Sequence, residues 1–221
     1  MSLFLQAHRV PAILAGLLGA VLLWQVLARL QGDLVRSFLE ELWSRNMLNL
    51  HVTPLSTGEY LAGLVASALV RMLTGLAVLA TMAYGLYGFG LFSLGPALVP
   101  YMAILIVMGW SVAVLAMALV TRFGQSAQTF AFLLAFVFQP FAAVFYPLAV
   151  LPGPVQAIAH AVPASYVFEC MRATLAGNAA SPRGLVIAGV LDLVYAAAAL
   201  WCLHRSMRYA RATGRLTRMG H

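Results

Sequence analysis

Two charged side chains inside apolar segments are the first places where this sequence could do chemistry. Arg71 lies near the middle of the apolar segment 60–86, and Asp192 lies near the middle of the segment 185–203. An ionisable group at that depth in a membrane is costly and by default marks a function or a partner. If the two segments are neighbours, an Arg71–Asp192 pair would satisfy both charges. That structural role and a part in translocation both stay open, but no ladder of carboxylates accompanies the pair to support a proton-coupled pump.

Two further acidic residues, Glu169 and Glu59, each have a local explanation. Glu169 and Arg172 are three positions apart, which on a helix lets them pair with each other. They could equally face a substrate vestibule, and the sequence leaves both alternatives open. Glu59 closes the stretch Ser56–Glu59, an S-x-x-E capping box that predicts the start of a helix after Pro54 has ended the preceding segment.

The sequence predicts no catalytic residue, metal site or cofactor in this chain. All 13 basic residues are arginine, so the chain lacks the lysine of a P-loop and of a Schiff base. His51, His160 and His204 are isolated, and Cys170 and Cys202 have no metal-ligand spacing. The two thiols are therefore interpreted as small apolar side chains.

The composition predicts an integral membrane protein. Of 221 residues, 63% are hydrophobic and 9% are charged, and the mean hydropathy is +0.93. A soluble domain is about 45–50% apolar and about 25% charged, so a soluble enzyme is close to excluded. The net charge of +7 does not indicate nucleic acid, because five arginines crowd the tail 204–221 directly after an apolar segment.

Five apolar segments are long enough to cross a bilayer, which takes roughly 20 residues each. They are 11–30, 60–86, 98–120, 129–150 and 185–203, and they form a single transmembrane domain over residues 1–221. Arginine placement puts the loop 31–59, the turn at Arg122 and the tail 204–221 in the cytoplasm, with the N-terminus outside.

An amphipathic helix is predicted within the first cytoplasmic loop, over Asp33–Leu50. Its apolar residues recur at i, i+3 and i+4, whereas charged residues fill much of the remaining surface. Such a helix is either a connector on the membrane surface or a docking element for a cytoplasmic subunit, and both interpretations stay open.

The segment Pro140–Gly177 carries half of the chain's ten prolines, which break helices by removing backbone donors. Broken backbone in hydrocarbon is tolerated only where protein or a wet cavity surrounds it. Val155–Ala161 and Ser165–Leu175 are each long enough for a short helix. The segment 147–177 is therefore predicted to be a re-entrant hairpin dipping in from outside, and the alternative is an ordinary extracellular loop.

Both irregular segments resemble those of ABC type-2 exporter permeases, and the resemblance covers about residues 12–204. Phe38–Gly63 is similar to the cytoplasmic loop of that family, in which an acidic amphipathic helix leads to a Thr/Ser-Pro-Leu turn and a Glu. Gln139–Gly177 is similar to the hallmark near the family's fifth span. The residues that match this hallmark are Phe145, Tyr146, Pro147, Leu151, Pro152, Pro163, Tyr166, Glu169 and Arg172.

The resemblance implies a permease subunit of an ATP-driven exporter, working with a second permease copy and a cytoplasmic ATPase that holds ATP-Mg. It implies an all-α polytopic fold with five transmembrane helices, a cytoplasmic coupling helix and a re-entrant helical hairpin before the last span. Contacts with the ATPase are expected from Glu40, Glu41, Arg45, Asn46 and Pro54. The outer gate is expected to contain Pro147, Pro152, Pro163, Tyr166, Glu169 and Arg172.

The predicted chain differs from the usual family member, which has six spans and both termini inside. By this count the first span of the family is missing. Either the chain is truncated, or its start site is wrong, or a partner supplies that span. Two other classes stay open: a secondary transporter or channel without an ATPase, and a structural subunit of a membrane complex. The arginine-only, alanine-rich composition suggests a high-GC bacterium and hence its inner membrane.

Overall fold

A computed structural model describes residues 12–44 and 57–212, and this part of the chain is helical with no β-strand. Its α-helices are α1 Ala12–Ser44, α2 Thr57–Tyr87, α3 Leu98–Phe123, α4 Gln128–Phe138, α5 Gly153–Ala159, α6 Pro163–Leu175 and α7 Pro182–Ala212. Short 3-10 segments occupy Leu91–Ala97, Gly124–Ala127 and Leu148–Val150. The predicted all-α polytopic class is confirmed.

Within the described residues, four helical stretches are long and apolar enough to cross a membrane. They are Leu14–Glu40, Val65–Tyr87, Leu91–Phe123 and Pro182–Ala210. Each contains most of one predicted span, so four of the five predicted spans have a matching helix.

The predicted span 129–150 is wrong as a single helix. α4 has 11 residues and is therefore about 16 Å long, against about 30 Å of hydrocarbon. Pro140 has no amide hydrogen to donate to the carbonyl of Phe136. The amide of Gln139 donates to that carbonyl instead, with an N–O distance of 3.3 Å. The chain then turns irregularly, with Ala143 in the left-handed region at φ 53°.

The predicted separation between the first span and an amphipathic helix is also wrong over residues 31–44. α1 continues without a break through 33 residues to Ser44, because no proline interrupts it and its buried face extends along the second half of the helix. Gln31, Leu34, Val35 and Leu39 are all buried along this second half. The rest of the predicted loop, residues 45–56, lies outside the described residues.

α3 lies at the centre of the packing, between α7 on one side and α1 on the other. Gly109 allows α1 and α3 to approach closely, since a methyl group at this position would lie 3.1 Å from the backbone oxygen of Leu27. In lipid, the hydrophobic effect does not drive helices together. Small residues at a crossing let two membrane helices approach closely and associate through van der Waals packing. Leu105 and Met108 are fully buried beside this crossing.

α2 and α7 lie at the periphery. Only 17% of the most apolar window of each is buried, whereas the windows of α1 and α3 are 50% and 56% buried. Most of the exposed remainder is apolar, as at Val70 and Val78 on α2 and Leu193 and Trp201 on α7. These faces are therefore suited to lipid or to another membrane subunit.

Candidate functional site

An ion pair on α6 marks the predicted gate. Glu169 and Arg172 lie one turn apart on this helix, and Glu169 Oε1 is 2.8 Å from Arg172 Nη2. Of the two alternatives that the sequence left open, the pairing that the i, i+3 spacing allows is therefore present. The spacing alone did not indicate what else the two side chains contact.

The same two side chains bind the broken backbone between α4 and α5. Arg172 Nη1 donates to the carbonyls of Ala143 at 2.9 Å and Val144 at 3.4 Å. The amide of Leu148 donates to Glu169 Oε1 at 2.8 Å. These backbone groups have no helical partners, and away from water each needs another one. The ion pair therefore satisfies the segment 143–148 with charge-assisted hydrogen bonds.

The prolines of the predicted gate lie at helix starts. Pro147 precedes the 3-10 segment Leu148–Val150, Pro152 precedes α5, and Pro163 opens α6. The first turn of a helix tolerates proline because its amide would have no intrahelical partner there. Two short helices thus occur close to their predicted positions, and their depth in the membrane stays a prediction.

Side chains close the turns around these helices. Tyr146 donates to the carbonyl of Pro140 at 2.7 Å, and Gln156 Nε2 donates to the carbonyl of Leu148 at 2.9 Å. Tyr166, one of the predicted gate residues, donates to the carbonyl of His160 at 3.0 Å. Ser165 Oγ, fully buried, lies 2.7 Å from the carbonyl of Ala159. The α5–α6 hairpin is therefore held by hydrogen bonds within itself.

α6 is fixed to the core by its other face. Phe168 and Met171 are fully buried, and the hydroxyls of Tyr101 on α3 and Thr174 lie 2.7 Å apart. Cys170 is buried on this face, and its burial raises the pKa of the thiol, which stays protonated at neutral pH. This agrees with its interpretation as a small apolar side chain.

A cavity of about 350 Å³ lies beside the ion pair. Its lining consists of Gly16, Leu17, Val144, Phe145, Pro147, Arg172, Leu175 and Ala176. Arg172 is therefore both a structural partner of the backbone and part of a cavity wall. Its Nε atom is buried and makes no hydrogen bond.

The Arg71–Asp192 pair suggested as one alternative does not form. Arg71 is exposed on α2, where its Nη2 lies 3.2 Å from the hydroxyl of Ser67 and its Nε 3.4 Å from the carbonyl of Ser67. Asp192 is 2% exposed on α7, and neither carboxylate oxygen has a hydrogen-bond partner among the described residues. The reason is the packing order, because α7 lies against α3 and α2 lies against α1.

Arg29 is a residue whose position the sequence interpretation missed. It lies at the end of the predicted span 11–30 but near the middle of the candidate helical stretch Leu14–Glu40. Its guanidinium covers Gly75 of α2, where a methyl group would be 2.6 Å from Arg29 Nη1. A signal for this position was present in the sequence. No proline occurs between residues 12 and 53, so the first helix could continue past residue 30.

The predicted ATPase-contacting residues lie at the end of α1 and beyond it. Glu40 is exposed near the end of α1, and Glu41 follows it in the same helix. Arg45, Asn46 and Pro54 lie outside the described residues. No group of three or more His, Cys, Asp or Glu side chains in residues 12–44 and 57–212 is arranged to hold a metal ion.

The family model described as ABC-2 type transporter matches residues 1–176. The chain belongs to this family. In the ABC-2 permease the match includes α1 to α6 and thus the broken segment and its ion pair, while α7 follows the matched region. No curated protein matches the chain.

Members of the ABC-2 family are transmembrane permease components and are not themselves catalytic. Together with the four candidate spans, the match makes this chain a multi-pass membrane protein and a permease subunit of the ABC class. The sequence prediction of the family and of the transport class is confirmed at this level.

Proposed function

We propose that this chain is the membrane-spanning subunit of an ATP-driven exporter, which forms the translocation path and couples to a separate ATPase. The observation that carries the proposal is the family match over residues 1–176. The absence of lysine supports a separate ATPase, because the chain cannot supply a P-loop lysine. A second permease copy and the bacterial inner membrane belong to the same proposal.

α1 is the element best suited to transmit force from the ATPase. Its 33 residues form a helix about 50 Å long, which joins the acidic end at Glu40 and Glu41 to the middle of the membrane domain. At Gly109 the backbone of α1 lies directly against α3. Force on the cytoplasmic end would therefore move α1 as a rigid body. Because α1 and α3 are closely packed, the movement would be transmitted to α3.

The α5–α6 hairpin is suited to be the outer gate in this mechanism. It is firmly connected internally and to α3, but the segment 143–148 that leads into it is held mainly by the side chains of Glu169 and Arg172. Movement of α6 relative to α4 would therefore change the hydrogen bonds of one short segment without unfolding a helix.

Co-purification tests the proposed function. The full-length chain, tagged and extracted from native membranes in mild detergent, is expected to carry a stoichiometric ATPase that mass spectrometry identifies. If no ATPase accompanies it under conditions that preserve membrane complexes, the exporter function is wrong. A secondary transporter or a structural subunit then takes its place.

Glu41→Arg tests the docking surface separately. Because it reverses a charge at the expected ATPase contact, we expect it to reduce the co-purified ATPase about tenfold, which corresponds to roughly 1.4 kcal/mol, with unchanged membrane insertion. Arg183→Glu is the matched control, since it reverses an exposed charge at the start of α7. Equal recovery of the ATPase with both variants would contradict the docking role of Glu41 and leave the exporter function standing.

A further inference from the structure

Basic and aromatic side chains gather where α3 and α7 end beside each other. Arg122 lies one residue before the end of the candidate span Leu91–Phe123, and Arg205 lies within two turns of the end of Pro182–Ala210. The two helix ends are in contact, since the Arg122 guanidinium lies 5.2 Å from the centre of the Tyr209 ring. These arginines therefore lie together at one end of the membrane domain, which the arginine distribution predicts to be the cytoplasmic end.

A groove of about 260 Å³ lies between the two helices at this end. Its lining, which defines the α3–α7 groove, consists of Leu115, Ala118, Leu119, Arg122, Trp201, Cys202, Arg205 and Ser206. On α3 the three apolar residues precede Arg122, and on α7 Trp201 and Cys202 precede Arg205. Both arginines thus line a single groove, which is apolar toward the middle of the helices and basic toward their ends.

A second basic depression adjoins this groove along α7. It measures about 280 Å³ and is lined by Trp201, His204, Arg205 and Arg208. These residues recur at i, i+3, i+4 and i+7 and therefore share one face of the helix. Because Trp201 and Arg205 line both depressions, Arg208 adds a third cation beside the basic end of the groove.

Stacking on an aromatic ring holds Arg205 in place. Its guanidinium lies 5.4 Å from the centre of the Trp201 ring, and such stacking uses the face of the guanidinium while its N–H donors point outward in the plane. The salt bridge found among residues 12–44 and 57–212 joins Glu169 to Arg172, so neither Arg205 nor Arg208 is neutralised there. Both are exposed, and their donors are available to an anion.

We propose that the α3–α7 groove binds an anionic phospholipid of the surrounding membrane. Its headgroup phosphate would contact Arg122, Arg205 and Arg208, and one acyl chain would lie along Leu115 and Leu119. Charge complementarity decides the choice of partner, because guanidinium groups bind phosphate oxygens in pairs and basic pockets between membrane helices accept anionic headgroups. The exposed tryptophan and tyrosine rings also suit the headgroup level of a bilayer.

This lipid is a resident partner and not the transported molecule, so the inference does not rest on the exporter function. It would join α7, whose most apolar window is 17% buried, to α3, whose window is 56% buried. A ligand that binds only the folded form stabilises it by mass action. Anionic phospholipid is therefore expected to raise the melting temperature of the purified chain more than zwitterionic phospholipid does.

Native mass spectrometry of the full-length, delipidated chain in detergent tests the binding directly. The probes are phosphatidylglycerol and phosphatidylcholine with the same acyl chains. We expect phosphatidylglycerol to bind about tenfold more tightly, which corresponds to roughly 1.4 kcal/mol. Arg205→Gln and Arg208→Gln should each weaken its binding about fivefold, the contribution typical of one arginine at an anionic surface. Arg183→Gln is the matched control at an exposed arginine of the opposite end of α7 and should have no effect.

Cys202→Phe tests the apolar part of the groove without changing any charge. The side chain at this position lines the groove, so a larger one fills it. We expect phosphatidylglycerol binding to fall about as much as in Arg205→Gln, whereas Leu203→Phe, the matched control at the next residue, should leave it unchanged. Inorganic phosphate in excess should not displace the lipid, because it lacks a chain to occupy the groove.

Three results would overturn the proposal: equal binding of the two lipids, an equal loss in Arg183→Gln and Arg205→Gln, or displacement of the lipid by inorganic phosphate. Variants that fail to fold are recognised by size-exclusion chromatography, and the two probes and inorganic phosphate on the unmodified chain then provide the decision. If Arg205→Gln lowers the co-purified ATPase and leaves lipid binding unchanged, these arginines face the ATPase and the lipid site is wrong. Because lipid binding is measured without the ATPase, its failure leaves the exporter function untouched.

Discussion

At the scale of single residues, Arg172 has the clearest structural task. It joins Glu169 to two carbonyls of a segment that has no secondary structure of its own. Arg172 also lines the neighbouring cavity, so a change there affects both the ion pair and the space beside it. The pair shows how one charged group can satisfy several backbone groups where prolines prevent a helix.

Arg172→Met is predicted to destabilise the protein. It leaves the carbonyls of Ala143 and Val144 without their donor and Glu169 without its cation, which should lower the free energy of unfolding by about 2–3 kcal/mol. Thermal unfolding in detergent, followed by intrinsic fluorescence, measures the change. Arg183→Met is the matched control at an exposed site, and equal stabilities of the two variants would contradict the role of Arg172.

Asp192→Leu is predicted to stabilise the protein. The carboxylate is buried without a hydrogen-bond partner in the described residues, and an unsatisfied buried polar group costs about 1–3 kcal/mol. Removing it should raise the free energy of unfolding, measured in the same thermal assay. A clear loss of stability would mean that Asp192 has a partner in the assembled protein, and would make it a functional residue by default.

At the scale of elements, the crossing of α1 and α3 connects the end of α1 that carries Glu40 to the core. Its closeness depends on Gly109, because the atom facing this glycine is the backbone oxygen of Leu27 and not a flexible side chain. Gly75 is the opposite case, since there the facing group is the guanidinium of Arg29, which can move. The two glycines therefore have different structural roles although both permit a close approach.

Gly109→Ala is predicted to destabilise the α1–α3 contact. The added methyl group would lie 3.1 Å from Leu27 O, and overpacking of this kind typically costs about 1–3 kcal/mol. Gly189→Ala in α7 is the matched control, because no atom lies within 4 Å of its added methyl group. A lower melting temperature for Gly109→Ala alone is expected, and equal melting temperatures for both would show that α1 moves aside without cost.

At the scale of the whole molecule, the long helices fall into two groups that differ in how much of their apolar surface is buried. α1 and α3 are half buried within the single chain, while α2 and α7 leave most of their apolar surface open. A second permease copy, if present, has these two faces available. The face of α2 also carries Arg71, so whatever covers it has to accommodate a cation.

Much of this fold could be predicted from local sequence. The apolar segments predicted the positions of α2, α3 and α7, and the prolines predicted the short helices α5 and α6, since proline fixes where a helix can begin. The prediction of a fifth span over 129–150 failed because hydropathy does not report hydrogen bonding. The sequence is apolar throughout this stretch, yet Pro140 ends the helix within it.

The candidate site was only partly predictable. The spacing of Glu169 and Arg172 indicated their ion pair as one of two alternatives, because that contact lies within one helical turn. Their contacts with Ala143 and Leu148, the separation of Arg71 from Asp192 and the position of Arg29 over Gly75 depend on which helices are neighbours. A sequence specifies local periodicity and helix ends directly, whereas neighbours are selected by the packing of all helices together, which only the tertiary structure decided.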